Sequence, residues 1–105
     1  MDKRDLKIAQ TFRRLVEKRV PVLRVLVFGS RARGDAESSS DLDLFVEVER
    51  LTPEIRKYVS HCAWEAGFDE GVVVTTVVFT RYELENTVEG YSPLVENVLK
   101  EGIAV

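Results

Sequence analysis

Two periodicities alternate along this chain, and they predict helices and strands in turn. From about Asp5 to Lys18, apolar residues recur at spacings of three and four with charged residues between them, which is typical of an amphipathic helix. Leu23–Phe28 is instead a near-continuous apolar run, as expected of a strand that is covered on both faces. Pro21 lies between the two segments and cannot continue a helix. The pattern therefore predicts a helix followed by a buried strand.

The alternation continues to the end of the chain. Ser or Thr followed by Pro or Glu predicts the helix starts, and a run of β-branched residues predicts the third strand. The further predicted elements are a second strand through Leu44–Val48, a helix from Thr52 to Gly67, a third strand over Gly71–Thr80, a short helix opened by Thr80–Glu83, and a last helix from Ser92 through Lys100 that Gly102 ends. Glu47 and Glu49 are predicted to mark the exit of the second strand to water. We expect an α/β (α+β) fold, a small mixed sheet flanked by helices, in one domain over residues 1–105.

A polar stretch between the first two strands has the layout of a phosphate and metal site. Gly29 allows a sharp turn and close approach of a ligand to the backbone, and Ser30 adds a hydroxyl and a helix N-cap, where free N–H groups favour phosphate. Asp41 and Asp43 are two residues apart, so on a strand both project to one side and can share a divalent ion. Carboxylate oxygens suit Mg²⁺, which also binds substrate phosphates. A loop glycine and a solvated strand end are the alternative interpretation.

Two arginines follow the Gly-Ser turn. Arg31 and Arg33 either contact a triphosphate or are solvated, and Arg31 is the favoured contact because it follows the turn directly. The serine-rich segment after them is predicted to be a surface loop, with one helical turn at Arg31–Arg33.

These motifs, Gly29-Ser30-Arg31-Ala32-Arg33-Gly34-Asp35 and Ser40-Asp41-Leu42-Asp43-Leu44, resemble the signature of the DNA polymerase β-like nucleotidyltransferase superfamily. The nearest resemblance is to its small single-domain branch, the minimal nucleotidyltransferases (MNT, MntA-like). The resemblance implies that Gly29 and Ser30 hold the triphosphate of a nucleotide and that Asp41 and Asp43 are the catalytic, Mg²⁺-binding residues. It also implies a small helical HEPN protein as partner, a toxin for which the nucleotidyltransferase is the antitoxin.

One position departs from the family pattern. Active members usually carry a third acid on the third strand, where this chain has Thr75. The nearest acids are Asp69 and Glu70, before the strand. Three outcomes stay open: one of these acids substitutes, a partner supplies the acid, or the protein binds nucleotide without transferring it.

Composition narrows the classes of function. The chain has 105 residues, a formal net charge of −3 and a pI near 5.2, which argues against a broad nucleic-acid-binding surface. The lone Cys62 excludes an internal disulfide and fits a reducing cytoplasm, and no signal peptide or membrane span is evident. His61 and Cys62 are predicted to be a surface histidine and a core thiol rather than a base and a zinc ligand.

Three functions are compatible with these features. The first is Mg²⁺-dependent transfer of NMP, AMP from ATP being favoured, to a hydroxyl on a partner macromolecule. The second is a nucleotide-binding module, weakened at Thr75, that neutralises or regulates a partner protein. The third, aminoglycoside modification, is disfavoured because 105 residues leave little room for an antibiotic site. The acceptor and any homo-oligomer are not indicated by the sequence.

Overall fold

The computed structural model describes residues 1–34 and 40–105. The helices are α1 (Lys3–Glu17), α2 (Ser30–Arg33), α3 (Pro53–Phe68), α4 (Arg81–Asn86) and α5 (Pro93–Glu101), with a 3₁₀ turn at Val88–Tyr91. The strands are β1 (Val22–Phe28), β2 (Leu42–Val48), β3 (Val74–Thr80) and β4 (Ile103–Ala104). The serine-rich part of the predicted surface loop, residues 35–39, lies outside the described residues.

Within the described residues the strands form one mixed sheet in the order β3-β2-β1-β4. β1 runs antiparallel to β2 and to β4, whereas β2 and β3 are parallel and are joined through α3. This arrangement confirms the predicted mixed sheet flanked by helices. β4 was not predicted, since a two-residue strand after a glycine carries no periodicity.

Helices cover both faces of the sheet. On one face, α1 and α3 pack on the even-numbered side chains of β2, and Phe12, Leu42 and Leu44 are fully buried there. On the other face, Val95 and Val98 of α5 pack on Leu26 and Phe45. Because side chains alternate along a strand, Asp43 and Glu47 lie on the face of Phe45. The acidic residues of β2 therefore share the layer that α5 covers.

The helix starts follow the capping residues predicted from the sequence. The Thr52 side chain accepts a hydrogen bond from the Ile55 amide, and Thr80 and Glu83 form a complete capping box. Gly102 ends α5 as predicted, with an extended backbone (φ −65°) rather than the left-handed conformation common at helix ends. A side chain there would instead collide with the Val98 carbonyl, so a close approach of backbone explains this glycine.

His61 and Cys62 of α3 have the predicted environments. Cys62 is buried, and this burial raises the pKa of its thiol. His61 is exposed, with its ring centroid 6.2 Å from that of Trp64. The interpretation of Cys62 as a core thiol and His61 as a surface histidine is confirmed.

The environment of Glu47 contradicts its predicted exposure. This residue does not mark an exit to water, because only 2% of it is exposed. Arg24 Nε donates to Glu47 Oε1 at 2.9 Å, and Arg81 Nε donates to Oε2 at 2.7 Å. Both carboxylate oxygens are thus paired with guanidinium groups, which ties α4 to the sheet.

Replacing Glu47 with Gln is expected to lower the free energy of unfolding by about 1–3 kcal/mol, since an amide nitrogen would face an arginine. Urea denaturation measures this loss. Glu49→Gln, the same change at an exposed position of the chain, should alter the free energy by no more than about 0.5 kcal/mol. Equal effects of the two substitutions would contradict the assigned role of the Glu47 ion pairs.

Candidate functional site

The Gly-Ser turn follows directly from the end of β1. Gly29 has φ +78°, a left-handed conformation that favours glycine, and it occupies the N-cap position of α2. Ser30 is the first residue of α2, so the prediction that Ser30 itself is the N-cap is wrong. The Arg33 amide donates to the Gly29 carbonyl at 3.1 Å, which closes the single helical turn predicted at Arg31–Arg33.

Asp43 lies directly against this turn. Phe28, the last residue of β1, is paired with Asp43 in the antiparallel register of β1 and β2. An ideal Cβ built on Gly29 would lie 2.6 Å from Asp43 Oδ2, closer than such atoms are found. The absence of a side chain at Gly29 is therefore what lets the Asp43 carboxylate approach the Gly-Ser turn.

Thr75 lies beside Asp43 on the neighbouring strand. The parallel register of β2 and β3 pairs the two residues, and Thr75 Oγ1 donates to Asp43 Oδ1 at 2.5 Å. The register thus places Thr75, which was singled out from the sequence, next to Asp43. The hydrogen bond from Thr75 orients the Asp43 carboxylate.

Asp41 is held by its backbone neighbours. It lies one residue before β2 and its side chain is exposed, whereas Asp43 is half-buried. The Leu42 amide donates to the Val73 carbonyl at 2.9 Å, which fixes the chain on one side of Asp41. The predicted sharing of one metal ion by both aspartates stays a prediction, and the placement of both residues at the beginning of β2 is compatible with it.

The donor set fits a hard cation. Two carboxylates at the start of one strand, one of them against the Gly-Ser turn, suit Mg²⁺ bound together with substrate phosphates. In residues 1–34 and 40–105, no three acidic, His or Cys side chains are close enough to hold a metal together. Within that part of the chain, Asp69 and Glu70 do not complete a triad with the two aspartates. Glu70 instead lies 4.0 Å from Lys7 in an ion pair.

Arg31 and Arg33 differ in their environments. Arg33 is exposed, but only 7% of Arg31 is exposed. The Arg31 guanidinium forms an ion pair with Asp5 at 2.8 Å and donates to the Ser40 carbonyl from Nε at 2.9 Å and from Nη2 at 2.6 Å. The structure thus separates the two arginines: Arg31 is not solvated, and contact with a triphosphate stays a prediction for both.

Asp5 was not predicted as part of this region. The residue is 2% exposed, on the inward stripe of α1 that also contains Ala9, Phe12 and Val16. Its spacing of four from Ala9 was the available signal, because an acid on an apolar stripe needs a buried partner. That partner is Arg31, which is distant in sequence and could not be paired with it before the fold was known.

The Gly29→Ala substitution is expected to weaken ATP binding about tenfold or more, since the new Cβ would displace the Asp43 carboxylate from the turn. Calorimetric titration with ATP and Mg²⁺ measures the change. Gly71→Ala is the matched control: Gly71 also has a positive φ, +66°, but nothing lies within 4 Å of the position that a Cβ would take there. Gly71→Ala should lower the stability without weakening ATP binding. Equal ATP affinities of the Gly29→Ala and Gly71→Ala variants would contradict this account.

Comparison with known proteins identifies the family. Residues 9–105 match the sequence model of the nucleotidyltransferase domain. No curated protein sequence matches the chain. No helix in the described part of the chain is long and apolar enough to span a membrane.

Two solved structures show the same fold. A toxin–antitoxin structure with AMP-PNP is 19% identical, with a TM-score of 0.64, and the match covers 91% of this chain and 70% of the other. A proposed nucleotidyltransferase from Sulfolobus solfataricus is 22% identical, with a TM-score of 0.60, over 99% of this chain and 87% of the other. The family match spans nearly the whole chain and contains the Gly-Ser turn and both aspartates, so this protein belongs to the nucleotidyltransferase domain family.

Proposed function

We propose that this protein is a Mg²⁺-dependent nucleotidyltransferase that moves AMP from ATP to a hydroxyl of a partner protein. The observation that carries the proposal is the contact between Asp43 and the Gly-Ser turn, in a chain of the nucleotidyltransferase family. That contact joins the residues suited to phosphate and to metal in one place. The partner is a small helical HEPN toxin, and the protein acts as its antitoxin by modifying it.

In the proposed reaction the hydroxyl oxygen of the acceptor forms a bond to the α-phosphorus of ATP, the bond from that phosphorus to the departing pyrophosphate breaks, and the hydroxyl proton is released to water. Gly29 and Ser30 would hold the triphosphate through backbone N–H groups and the Ser30 hydroxyl. Asp41 and Asp43 would hold Mg²⁺, which neutralises charge on the phosphates when it is bound. Thr75 keeps the Asp43 carboxylate in one orientation by donating a hydrogen bond.

Support for a nucleotide and a protein partner comes from two directions. The similar toxin–antitoxin structure contains AMP-PNP, which favours ATP as the nucleotide and a toxin as the acceptor. The chain itself has a net charge of −3, so a broad surface for nucleic acid is not favoured. An acceptor site completed by a second protein is consistent with both.

A second function is favoured by one specific observation. Thr75, where the family resemblance implies a third acid, pairs with Asp43, and no three acidic, His or Cys side chains within residues 1–34 and 40–105 could hold a metal together. Without a third carboxylate to accept the proton of the attacking hydroxyl as a general base, binding of ATP would survive better than transfer. The alternative is therefore a nucleotide-binding module that neutralises its partner without modifying it.

The test uses the purified chain, Mg²⁺, ATP labelled at the α-phosphate and any small helical protein that is encoded next to this chain. Transfer of label to that protein supports the enzyme. ATP binding by calorimetry without label transfer, together with neutralisation of the partner, would instead support the binding module. If the chain neither binds ATP nor transfers label, both proposals are wrong.

A further inference from the structure

One guanidinium group connects three separate parts of the candidate site. Arg31 belongs to α2, directly after Ser30 of the Gly-Ser turn. Its Nη1 atom donates to Asp5 of α1 at 2.8 Å, while Nε and Nη2 both donate to the Ser40 carbonyl, at 2.9 and 2.6 Å. The side chains of the ion pair are only 6% and 3% exposed. The ion pair with Asp5 is therefore buried, and the two hydrogen bonds to Ser40 are partly buried.

Ser40 lies next to one of the two aspartates of the candidate site. Ser40 is the residue before Asp41, and the residue after it, Leu42, is anchored to the Val73 carbonyl at 2.9 Å, next to the start of β3. The backbone on both sides of Asp41 is thus fixed, by Arg31 on one side and by Val73 on the other. The Asp41 side chain is exposed and has no such packing of its own, so its position depends on these two anchors.

From this geometry we infer that Arg31, held by Asp5, is a positioning residue that fixes Asp41 relative to the Gly-Ser turn. The inference rests on the proposed function, because it concerns the metal-binding role of Asp41. It also replaces the expectation that Arg31 itself contacts the triphosphate. A guanidinium that moved out to a phosphate would leave the Asp5 carboxylate buried without its partner, which is strongly unfavourable.

Substitutions at both ends of the ion pair distinguish positioning from phosphate binding. If Arg31 positions Asp41, then Asp5→Ala and Arg31→Gln each weaken binding of Mn²⁺, used as a probe for Mg²⁺, by about 10- to 100-fold in the presence of ATP. The double variant should be no worse than either single one, because the two residues act as a unit. Arg31→Lys should fail to rescue, since an ammonium cannot bridge Asp5 and Ser40 as a planar fork does.

The phosphate-binding role predicts the opposite pattern. Arg31→Gln would then weaken ATP binding even in EDTA, Arg31→Lys would restore much of it, and Asp5→Ala would leave ATP binding unchanged. Glu47→Gln is the control for loss of a buried ion pair, because the Glu47 carboxylate is bonded to Arg24 and Arg81, away from the turn and the aspartates. That variant should lose stability but keep its affinity for Mn²⁺.

Hydrogen exchange in metal-free protein tests the positioning independently of any activity. The Leu42 amide should exchange faster in Asp5→Ala and Arg31→Gln, relative to the Val46 amide in the middle of the same strand, and not in Glu47→Gln. Unchanged exchange at Leu42 in Asp5→Ala would overturn the inference, even if Arg31→Gln did not fold. Faster exchange in a chain that never transfers label would leave the positioning intact and refute the enzyme alone.

Discussion

Replacing both Asp41 and Asp43 with asparagine is expected to reduce transfer of label from ATP by about 100-fold or more. Asparagine keeps the shape of aspartate but removes the negative charge that a divalent cation requires. In Asp43→Asn the side-chain amide oxygen would still accept the hydrogen bond from Thr75, so the fold around it should persist. The change therefore isolates the charge of the two residues from their packing.

Label transfer and ATP affinity should be measured on the same preparation, with urea denaturation to confirm folding. Glu49→Gln is the matched control, because it removes one negative charge from an exposed residue just after β2. It should transfer label at the rate of the unsubstituted protein. Transfer that is undiminished in the double asparagine variant would exclude the two aspartates as catalytic residues. Neutralisation of the partner that persists in this variant would favour the binding module.

Thr75→Asp is expected to raise the rate of label transfer at least about tenfold, with little change in ATP affinity. The Thr75 hydroxyl is 2.5 Å from the Asp43 carboxylate on the adjacent parallel strand, so a carboxylate at this position would lie beside the proposed metal site. There it can accept the proton of the attacking hydroxyl or bind a second cation. Without metal the Thr75→Asp variant should be less stable than the unsubstituted protein, because two carboxylates in contact repel each other.

The expected signature is a lower melting temperature of Thr75→Asp in EDTA that Mg²⁺ restores. Thr75→Asn is the control, since it has the same shape as the aspartate variant without the charge, and it should gain no activity. If Thr75→Asp binds ATP but is no faster than Thr75→Asn, the absent third acid does not limit turnover. If the unsubstituted protein shows no measurable transfer and Thr75→Asp does transfer label, the natural function is binding.

The candidate site could be located from the sequence because its chemistry is local. Gly29 and Ser30 follow a buried strand, and Asp43 lies at the start of the next one, so strand pairing of neighbours in sequence brings them together. Thr75 was also located from the sequence, through the position of the third acid on the third strand in the family pattern. The structure adds the hydrogen bond between Thr75 and Asp43.

The burial and the partners of the charged side chains could not be predicted from the sequence. Glu47 was expected at the surface because strand-end acids usually are, yet two arginines from distant elements pair with it in a buried position. Arg31 was expected either to contact a triphosphate or to be solvated, and the structure excludes solvation because Asp5 and the Ser40 carbonyl hold the guanidinium in a buried position. The local sequence shows only that a charged residue is present. Whether that residue is buried depends on a partner from another segment, which only the tertiary structure identifies.

The sequence alone therefore determined the family, the order of the main elements and the residues of the Gly-Ser turn and the two aspartates, because these are read from spacing along one stretch of chain. Only the tertiary structure decided how closely Asp43 approaches Gly29 and which of the two arginines is buried. Both depend on contacts between segments that are separated in sequence, such as the 26 residues from Asp5 to Arg31. The hydrophobic periodicity of a sequence does not predict such contacts.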